Sequence, residues 1–268
     1  MIFKNEKRAF IVYTPQSYQT NKDKKYPVVY NFHGGGMTMA EQMLYTKMNS
    51  TADKHDFIVV YPQGIKKDWN VGFGMSYKYG TDDIGFVDSL LNYINKNYRT
   101  DTRKTFATGL SRGGFFCQRL ATELPGRFAA VASVGATMPD SVAYYNPQKG
   151  KTGILLVHGT ADSIVYFNGK PGHYFSAANT YDFWLKQNEI TATASPGKNI
   201  NKNKTDGTSI TVVESQGGGK YVSLMTVNGG GHTWVGANPF NIGLPIGATS
   251  ADLDLNEYIW MFFMKNTQ

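Results

Sequence analysis

The chain has 268 residues, of which 41% are hydrophobic and only 18% charged, so it can bury a large core and lacks the composition of a disordered protein. Its formal net charge is +7, but the 27 lysine and arginine residues are scattered and accompany no nucleic-acid-binding motif. No apolar run approaches the ~18 residues of a membrane span, and a single cysteine excludes an intramolecular disulfide, so we expect neither a nucleic-acid nor a membrane partner.

Apolar runs alternate with helix-like segments from the N-terminus onward, which predicts a mainly parallel central sheet with helices on both faces. The predicted elements of the first half are strands at Arg8–Thr14, Tyr26–Phe32, Phe57–Tyr61 and Lys104–Thr108 and helices at Met39–Lys54 and Asp83–Tyr98. Between them, Gly64–Gly80 has no period and is rich in glycine and aromatic residues. We predict that it forms a long surface loop of the kind that often carries binding functions.

The second half continues the alternation. Its predicted elements are helices at Arg112–Leu124, Ala177–Asn188 and Asn256–Lys265, strands at Ala129–Val134 and Gly153–His158, and a hairpin joining Val212–Ser215 to Val222–Val227. We find no internal repeat and no linker. The pattern predicts one α/β catalytic domain over residues 1–268, which leaves room for a β-rich insertion around residues 190–227.

The sequence Gly109-Leu110-Ser111-Arg112-Gly113 has the form G-x-S-x-G. It follows a predicted strand and precedes a predicted amphipathic helix, which is the setting that a nucleophile elbow requires. The serine of such an elbow sits on a sharp turn, where side chains two residues away on either side would collide with neighbouring strands. We therefore predict that Ser111 is a catalytic nucleophile; the alternative is a glycine-rich turn with an incidental serine.

A second glycine run, His33-Gly34-Gly35-Gly36, follows the predicted strand Tyr26–Phe32. The loop at this point of an α/β-hydrolase sheet gives one backbone amide to the oxyanion hole, and the residue after the nucleophile gives the other. We predict that these are the amides of Gly35 and Arg112, with Gly36 as the alternative to Gly35. Taken alone, such a run could equally be a simple turn.

A serine hydroxyl needs a general base. The sequence contains five histidines: His33, His55, His158, His173 and His232. His232 follows the last strand-like run and precedes the last helix, where the chain order Ser…Asp…His places the base. We predict His232 as the base and keep His173 as the alternative. His33 and His158 each end a strand before a glycine and are expected to shape turns.

The predicted acid of the triad is Asp162, in His158-Gly159-Thr160-Ala161-Asp162 just beyond a buried run. A carboxylate there lies at the carboxyl edge of the sheet with the elbow, where it would orient His232. Asp140 and Asp182 are the alternatives. Cys117 falls on an apolar helix face, which predicts an inert buried thiol. We find no metal-ligand spacing, phosphate loop or dinucleotide fingerprint, and so expect no metal and no cofactor.

Together these motifs resemble the esterase family that contains polyhydroxybutyrate-depolymerase-like esterases and the feruloyl and acetylxylan esterases of carbohydrate esterase family 1. The similar segments are HGGG (33–36), ADKHDFIVVYPQG (52–64), WNVG (69–72), DDIGFVDSLLNYI (82–94), TGLSRGGFFCQRLATELPGRFAAVASVGA (108–136), HGTAD (158–162) and GGGHTW (229–234). The resemblance implies an α/β-hydrolase fold with Ser111, Asp162 and His232 as its triad. Two departures, the absence of cysteines after WNVG and Val235 after GHTW, bear on the substrate.

Within that family we favour a feruloyl (hydroxycinnamoyl) esterase that acts on plant cell-wall xylan, a polysaccharide or oligosaccharide partner. Trp69 in the aromatic loop and Trp234 beside the base are the predicted substrate-binding residues. Acetylxylan esterase and polyhydroxybutyrate depolymerase are the alternatives, and a non-catalytic carbohydrate-binding protein is the alternative of another class. We expect a monomer that is secreted, with a leader that lies outside this sequence.

Overall fold

The computed structural model describes residues 1–145, 150–238 and 245–267. Its strands are β1 (Ile2–Phe3), β2 (Glu6–Lys7), β3 (Phe10–Tyr13), β4 (Tyr26–Phe32), β5 (Ile58–Pro62), β6 (Thr100–Leu110), β7 (Ala130–Val134), β8 (Gly153–Gly159), β9 (Lys198–Ile200), β10 (Ser209–Gly217) and β11 (Lys220–Asn228). Its helices are α1 (Ser17–Thr20), α2 (Met39–Thr46), α3 (Met48–His55), α4 (Asp83–Asn97), α5 (Arg112–Glu123), α6 (Asp140–Tyr145), α7 (Ala177–Gln187) and α8 (Leu255–Lys265), with a short 3₁₀ turn at Ile65–Lys67.

Nine of the strands form one sheet in the order β3-β5-β4-β6-β7-β8-β11-β10-β9. The six strands from β5 to β11 in this order run parallel to one another, and the outer strands β3, β10 and β9 are antiparallel to their neighbours. The parallel strands all end at one edge of the sheet, so the loops that follow β4, β6, β8 and β11 meet there. These loops carry the predicted site residues.

Helices cover both faces of the sheet, as the alternation predicts. Along β4 the side chains of Val28 and Tyr30 enter the core on one face, while Val29 enters the core on the other. The first core contains the apolar faces of α4, α5 and α7, and the second contains those of α2, α3 and α8. Because successive side chains of a strand point to opposite faces of the sheet, each central strand contributes to both cores. This is why the central strands are continuous apolar runs in the sequence.

The apolar period of the sequence predicts α4 correctly but misses a break within the predicted helix Met39–Lys54. The predicted apolar face of α4 is buried, and the Asp82 side chain caps the helix by accepting from the Gly85 amide. The predicted helix Met39–Lys54 is instead two helices, because Lys47 adopts a left-handed conformation with φ 50°. No glycine or proline marks that break, so the apolar period runs through it. The short helices α1 and α6 and the edge strand β9 were also not predicted.

The β-rich stretch around residues 190–227 extends the central sheet. Strand β11 pairs in parallel with β8 from Val222 opposite Ile154 to Val227 opposite Gly159, and β10 continues from it as a hairpin. Both predicted strands of this hairpin are therefore present, at nine residues each. Within the described residues, no helix is both long enough and apolar enough to cross a bilayer.

Candidate active site

Ser111 lies between the end of β6 and the start of α5, with φ 54° and ψ −118°. A non-glycine residue in this region is strained, and such strain persists only where surrounding structure enforces it. The Ser111 amide donates to the Val134 carbonyl at 2.8 Å, which ties the turn to β7. A Cβ at Gly109 would lie 2.6 Å from the Gly113 carbonyl carbon, and one at Gly113 would collide with the Phe32 carbonyl. The glycines of the motif are thus required by the close approach of the neighbouring backbone.

Asp162 and His232 are brought together from two different strand ends. The Nδ1 of His232 lies 2.7 Å from Oδ2 of Asp162, and both residues are buried. The other carboxylate oxygen accepts from the amides of Ile164 at 2.9 Å and Val165 at 2.8 Å. Neither Asp140 nor Asp182 forms a hydrogen bond or ion pair with His232, whose carboxylate partner is Asp162. Since Asp162 is held on both oxygens, it fixes the orientation of the imidazole and its tautomer with the proton on Nδ1.

The surroundings of the Asp162 carboxyl group favour its ionised form. Burial by itself would raise its pKa, but the nearby rings of His158 and His232 and the hydrogen bond from the Val165 amide hold the pKa well below its usual range. The Nε2 of His158 donates to the Val165 carbonyl at 2.8 Å and lies 3.4 Å from Oδ2 of Asp162. His158 therefore closes the turn after β8, as predicted, and also adds a polar neighbour to the acid.

Glycine makes room for the imidazole as well. Gly135 follows β7 with φ 57°, and a Cβ there would lie 3.1 Å from both Cε1 and Nδ1 of His232. Nothing in the local pattern around Gly135 revealed this contact, because it depends on a residue almost 100 positions away in the sequence.

The glycine run after β4 lies against the elbow. A Cβ at Gly34 would lie 3.7 Å from the Cβ of Ser111. The Gly36 amide donates to the Lys67 carbonyl at 2.9 Å, so it is already engaged. Among the described residues, neither the Gly35 amide nor the Arg112 amide donates a hydrogen bond to a backbone carbonyl. The amides of Gly35 and Arg112, which are the two predicted from the sequence, are therefore available to bind the oxygen of a substrate carbonyl.

A cavity of about 380 Å³ opens at these residues, within the size range of ligand sites. Ser111 and His232 both line it, while Asp162 lies behind His232. The other lining residues are Gly34, Gly35, Met37, Tyr45, Phe73, Leu110, Arg112, Phe115, Ile164, Val165, Tyr166, Lys170, His173, Tyr174 and Ile246. Most of these side chains are apolar. No group of three or more His, Cys, Asp or Glu side chains in the described part of the chain is arranged to hold a metal ion.

Comparison with known proteins decides the family. The family model described as "Putative esterase" matches residues 3–237, which is most of the chain. The chain belongs to this esterase family. The resemblance to an esterase family, predicted from the motifs, is thereby confirmed.

Three individual relatives share less than 30% sequence identity with the esterase. The esterase is 27% identical over 252 residues to "Putative esterase NocK" of Nocardia uniformis subsp. tsuyamanensis, covering 85% of this chain and 71% of that one. It is 28% identical to feruloyl esterase B of Piromyces equi, covering 84% and 42%, and 28% identical to the bifunctional acetylxylan esterase/xylanase XynS20E of Neocallimastix patriciarum, covering 62% and 23%. The esterase thus spans less than half the length of these last two relatives.

The solved structure of an acetyl xylan esterase from Aspergillus awamori superposes with a TM-score of 0.65 at 15% identity, covering 96% of the esterase and 93% of that chain. An identity this low carries information about the fold alone. The esterase has the α/β-hydrolase fold, as predicted.

The structure corrects the prediction that Trp69 and Trp234 bind the substrate, because neither residue lines the cavity. Trp69 is fully buried, donates from Nε1 to the His33 carbonyl at 3.0 Å and stacks on Phe116. Trp234 is 1% exposed and donates from Nε1 to Asn256 at 3.1 Å. Both indoles find apolar contacts and a hydrogen-bond acceptor inside the protein, so they stabilise the core.

The cavity instead has an aromatic wall formed by Phe73, Phe115 and Tyr174. Their ring centroids lie 5.0 Å apart for Phe73 and Phe115, 5.1 Å for Phe115 and Tyr174, and 5.8 Å for Phe73 and Tyr174. Phe73 belongs to the predicted aromatic loop. The sequence does carry a signal for Phe115, since it lies four residues after Ser111 in the first turn of α5 and hence close to the nucleophile. Tyr174 lies in an irregular segment with no such signal.

The remaining histidines and the cysteine have structural contacts. His33 accepts from the Gly64 amide on Nε2 at 2.9 Å, and its burial lowers the pKa of the ring. His55 contacts Glu257 at 2.9 Å, whereas His173 lines the cavity without a carboxylate partner in the described residues. Cys117 is fully buried, and burial raises the pKa of its thiol, as expected for an inert cysteine.

Proposed function

We propose that the esterase works through a covalent acyl-enzyme formed on Ser111, with His232 as general base and Asp162 as the residue that orients it. The observation that carries this proposal is the 2.7 Å contact between Asp162 and His232 Nδ1, which leaves Nε2 free for the cavity that Ser111 also lines. Such an arrangement of nucleophile, base and orienting carboxylate is recognised by geometry rather than by sequence position.

In the first half-reaction the Ser111 hydroxyl attacks the ester carbonyl while His232 Nε2 takes its proton. The negative charge that develops on the carbonyl oxygen is stabilised by the Gly35 and Arg112 amides, the latter at the start of α5 where the helix dipole adds to the effect. His232 then gives the proton to the leaving alcohol. In the second half-reaction His232 activates water, which attacks the acyl-enzyme and releases the acid together with free Ser111.

For the substrate we propose a hydroxycinnamoyl ester of plant xylan, placing the esterase in carbohydrate esterase family 1 and outside the cell, where that polysaccharide occurs. The support is the aromatic wall of Phe73, Phe115 and Tyr174 in an apolar cavity of about 380 Å³. An acetyl group would contact little of this surface. An aromatic acyl group would gain about 25 cal/mol per Å² of apolar burial and about 0.5–1.5 kcal/mol for ring contacts. The relative named feruloyl esterase B fits the same proposal.

Acetylxylan esterase is the second candidate, because relatives of that name also match the chain. A product assay separates the candidates: purified esterase is incubated with wheat arabinoxylan, acetylated xylan, and polyhydroxybutyrate, and the released acids are measured. We expect release of ferulate, and a higher kcat/KM for methyl ferulate than for a comparable acetate ester. Acetate release without ferulate would favour an acetylxylan esterase, and clearing of polyhydroxybutyrate would favour a depolymerase. No turnover of any ester, with retention of xylan, would indicate a binding protein.

A further inference from the structure

The side chain of Arg112 has contacts that its oxyanion role does not require. Its Nε donates to Oδ1 of Asp68 at 2.7 Å, and its Nη2 donates to Oδ2 at 2.9 Å. This is a two-point, planar ion pair, the geometry in which arginine binds a carboxylate most strongly. The Arg112 side chain is 17% exposed and that of Asp68 is 34% exposed, so the pair is partly shielded from solvent.

The rest of the guanidinium is engaged by the loop Gly64–Gly80. Nη1 donates to the Phe73 carbonyl at 3.2 Å, and Nη2 also donates to the Trp69 carbonyl at 3.3 Å. The guanidinium carbon lies 5.0 Å from the centre of the Phe73 ring, within the range of a cation–π contact. Arg112 therefore holds both the backbone and the ring of Phe73, which lines the cavity.

The loop needs such a restraint around Phe73. Gly72 and Gly74, which flank it, have φ values of 86° and 76°. Glycine has the widest choice of backbone conformations, so these two positions do little by themselves to fix the direction of the ring between them. On its other side the Arg112 stem packs under the glycine run, since a Cβ at Gly35 would lie 2.8 Å from Arg112 Cγ.

We propose that the Asp68–Arg112 ion pair is a positioning device that sets the acyl selectivity of the esterase by holding Phe73 in the aromatic wall beside Ser111. The proposal rests on the proposed function, because it concerns the acyl group that the Ser111 site accepts. Loss of the ion pair releases Phe73. The affinity of the esterase for esters of large acyl groups then falls, whereas its affinity for esters of small acyl groups, which contact the wall little, falls less.

The same helix provides a matched control. Arg119, two turns further along α5, also binds the loop: it donates to the carbonyls of Asn70 at 2.9 Å and Tyr77 at 3.2 Å and pairs with Glu123. Neither Asn70 nor Tyr77 lines the cavity. Loss of Arg119 thus removes contacts with the same loop at residues that do not line the cavity.

The test compares Asp68→Asn, Asp68→Glu and Arg119→Met with the wild type, each checked for folding by circular dichroism and thermal unfolding. Asp68→Asn should raise KM for methyl ferulate and lower its kcat/KM about tenfold, with a fall of about threefold or less for p-nitrophenyl acetate. Asp68→Glu keeps the carboxylate and should retain most of the selectivity, and Arg119→Met should leave the selectivity within about twofold of wild type. Asp68→Ala, which removes both acceptor oxygens of the ion pair, should reproduce Asp68→Asn and replaces it if that variant does not fold.

Unchanged selectivity in a folded Asp68→Asn or Asp68→Ala variant would overturn the proposal, as would an equal loss in Arg119→Met. Failure of the proposed function looks different, because the wild type itself would then fail to hydrolyse methyl ferulate. In that case p-nitrophenyl benzoate takes the place of methyl ferulate, and the same change in its kcat/KM relative to p-nitrophenyl acetate is expected.

Discussion

The catalytic edge of the cavity and its aromatic wall lie side by side but depend on different parts of the fold. Ser111, Asp162 and His232 follow three strands of one sheet, and their contacts are fixed by glycines that allow close backbone approach. Phe73, Phe115 and Tyr174 come from a loop, a helix and an irregular segment, and their rings contact one another. The three catalytic residues function in one arrangement only, whereas other residues can replace those of the aromatic wall. We therefore expect mutations to abolish the reaction on one side and to change its selectivity on the other.

The largest contrast should be between two histidines that line the same cavity. His232→Ala removes the base and should lower kcat by about 10⁴-fold or more. His173→Ala removes a ring that has no carboxylate partner in the described residues and should change kcat by about threefold or less. Steady-state kinetics with p-nitrophenyl acetate measures both. Equal losses of kcat in the two variants would contradict the assignment of His232 as the base.

Asp162→Asn should have the next largest effect. The amide of the new side chain can donate to His232, which favours the wrong imidazole tautomer, so kcat should fall by about 10³–10⁴-fold while the fold is kept. Asp140→Asn serves as the control, because Asp140 lies in α6 and does not contact His232. A silent Asp162→Asn change together with an inactive Asp140→Asn variant would contradict the assignment of the acid.

The sequence predicts the catalytic edge far better than the wall, and the reason is physical. The elbow and the order of Ser111, Asp162 and His232 leave a readable pattern because steric demands restrict the residues around them. The wall leaves none: Trp69 and Phe73 lie four residues apart in one aromatic loop, yet the first enters the core and the second lines the cavity. Which of them turns inward depends on contacts with Phe116 and Arg112, which are distant in sequence.

The wall itself can be tested by comparing Phe73, which lines the cavity, with the buried Trp234. Phe73→Ala should lower kcat/KM for methyl ferulate about tenfold or more, in line with the apolar burial of one phenyl ring, and should affect p-nitrophenyl acetate less. Trp234→Ala should instead lower the free energy of unfolding by about 3–5 kcal/mol, because its ring is buried in the core. Urea unfolding and kinetics distinguish these outcomes. Selectivity that changes in Trp234→Ala and not in Phe73→Ala would restore the tryptophan as a substrate contact.

The smallest effect concerns stability in acid. Because folding lowers the pKa of Asp162, its ionised form stabilises the native state above the unfolded value of about 3.9, and this contribution is lost as the pH falls through the lower native value. The difference in unfolding free energy between wild type and Asp162→Asn should therefore be larger at pH 6 than at pH 3. A difference that is constant or grows toward pH 3 would show that the Asp162 carboxylate is not stabilised by its buried partners.

Covalent labelling with a fluorophosphonate tests the central claim most directly. The reagent reacts with an activated serine and leaves one adduct, whose position is found by mass spectrometry of peptides. We predict a single adduct on Ser111 in the wild type and in the control Ser163→Ala, and none in a folded Ser111→Ala variant. Labelling of Ser111→Ala at the wild-type rate, or an adduct on another serine such as Ser133, would contradict the account.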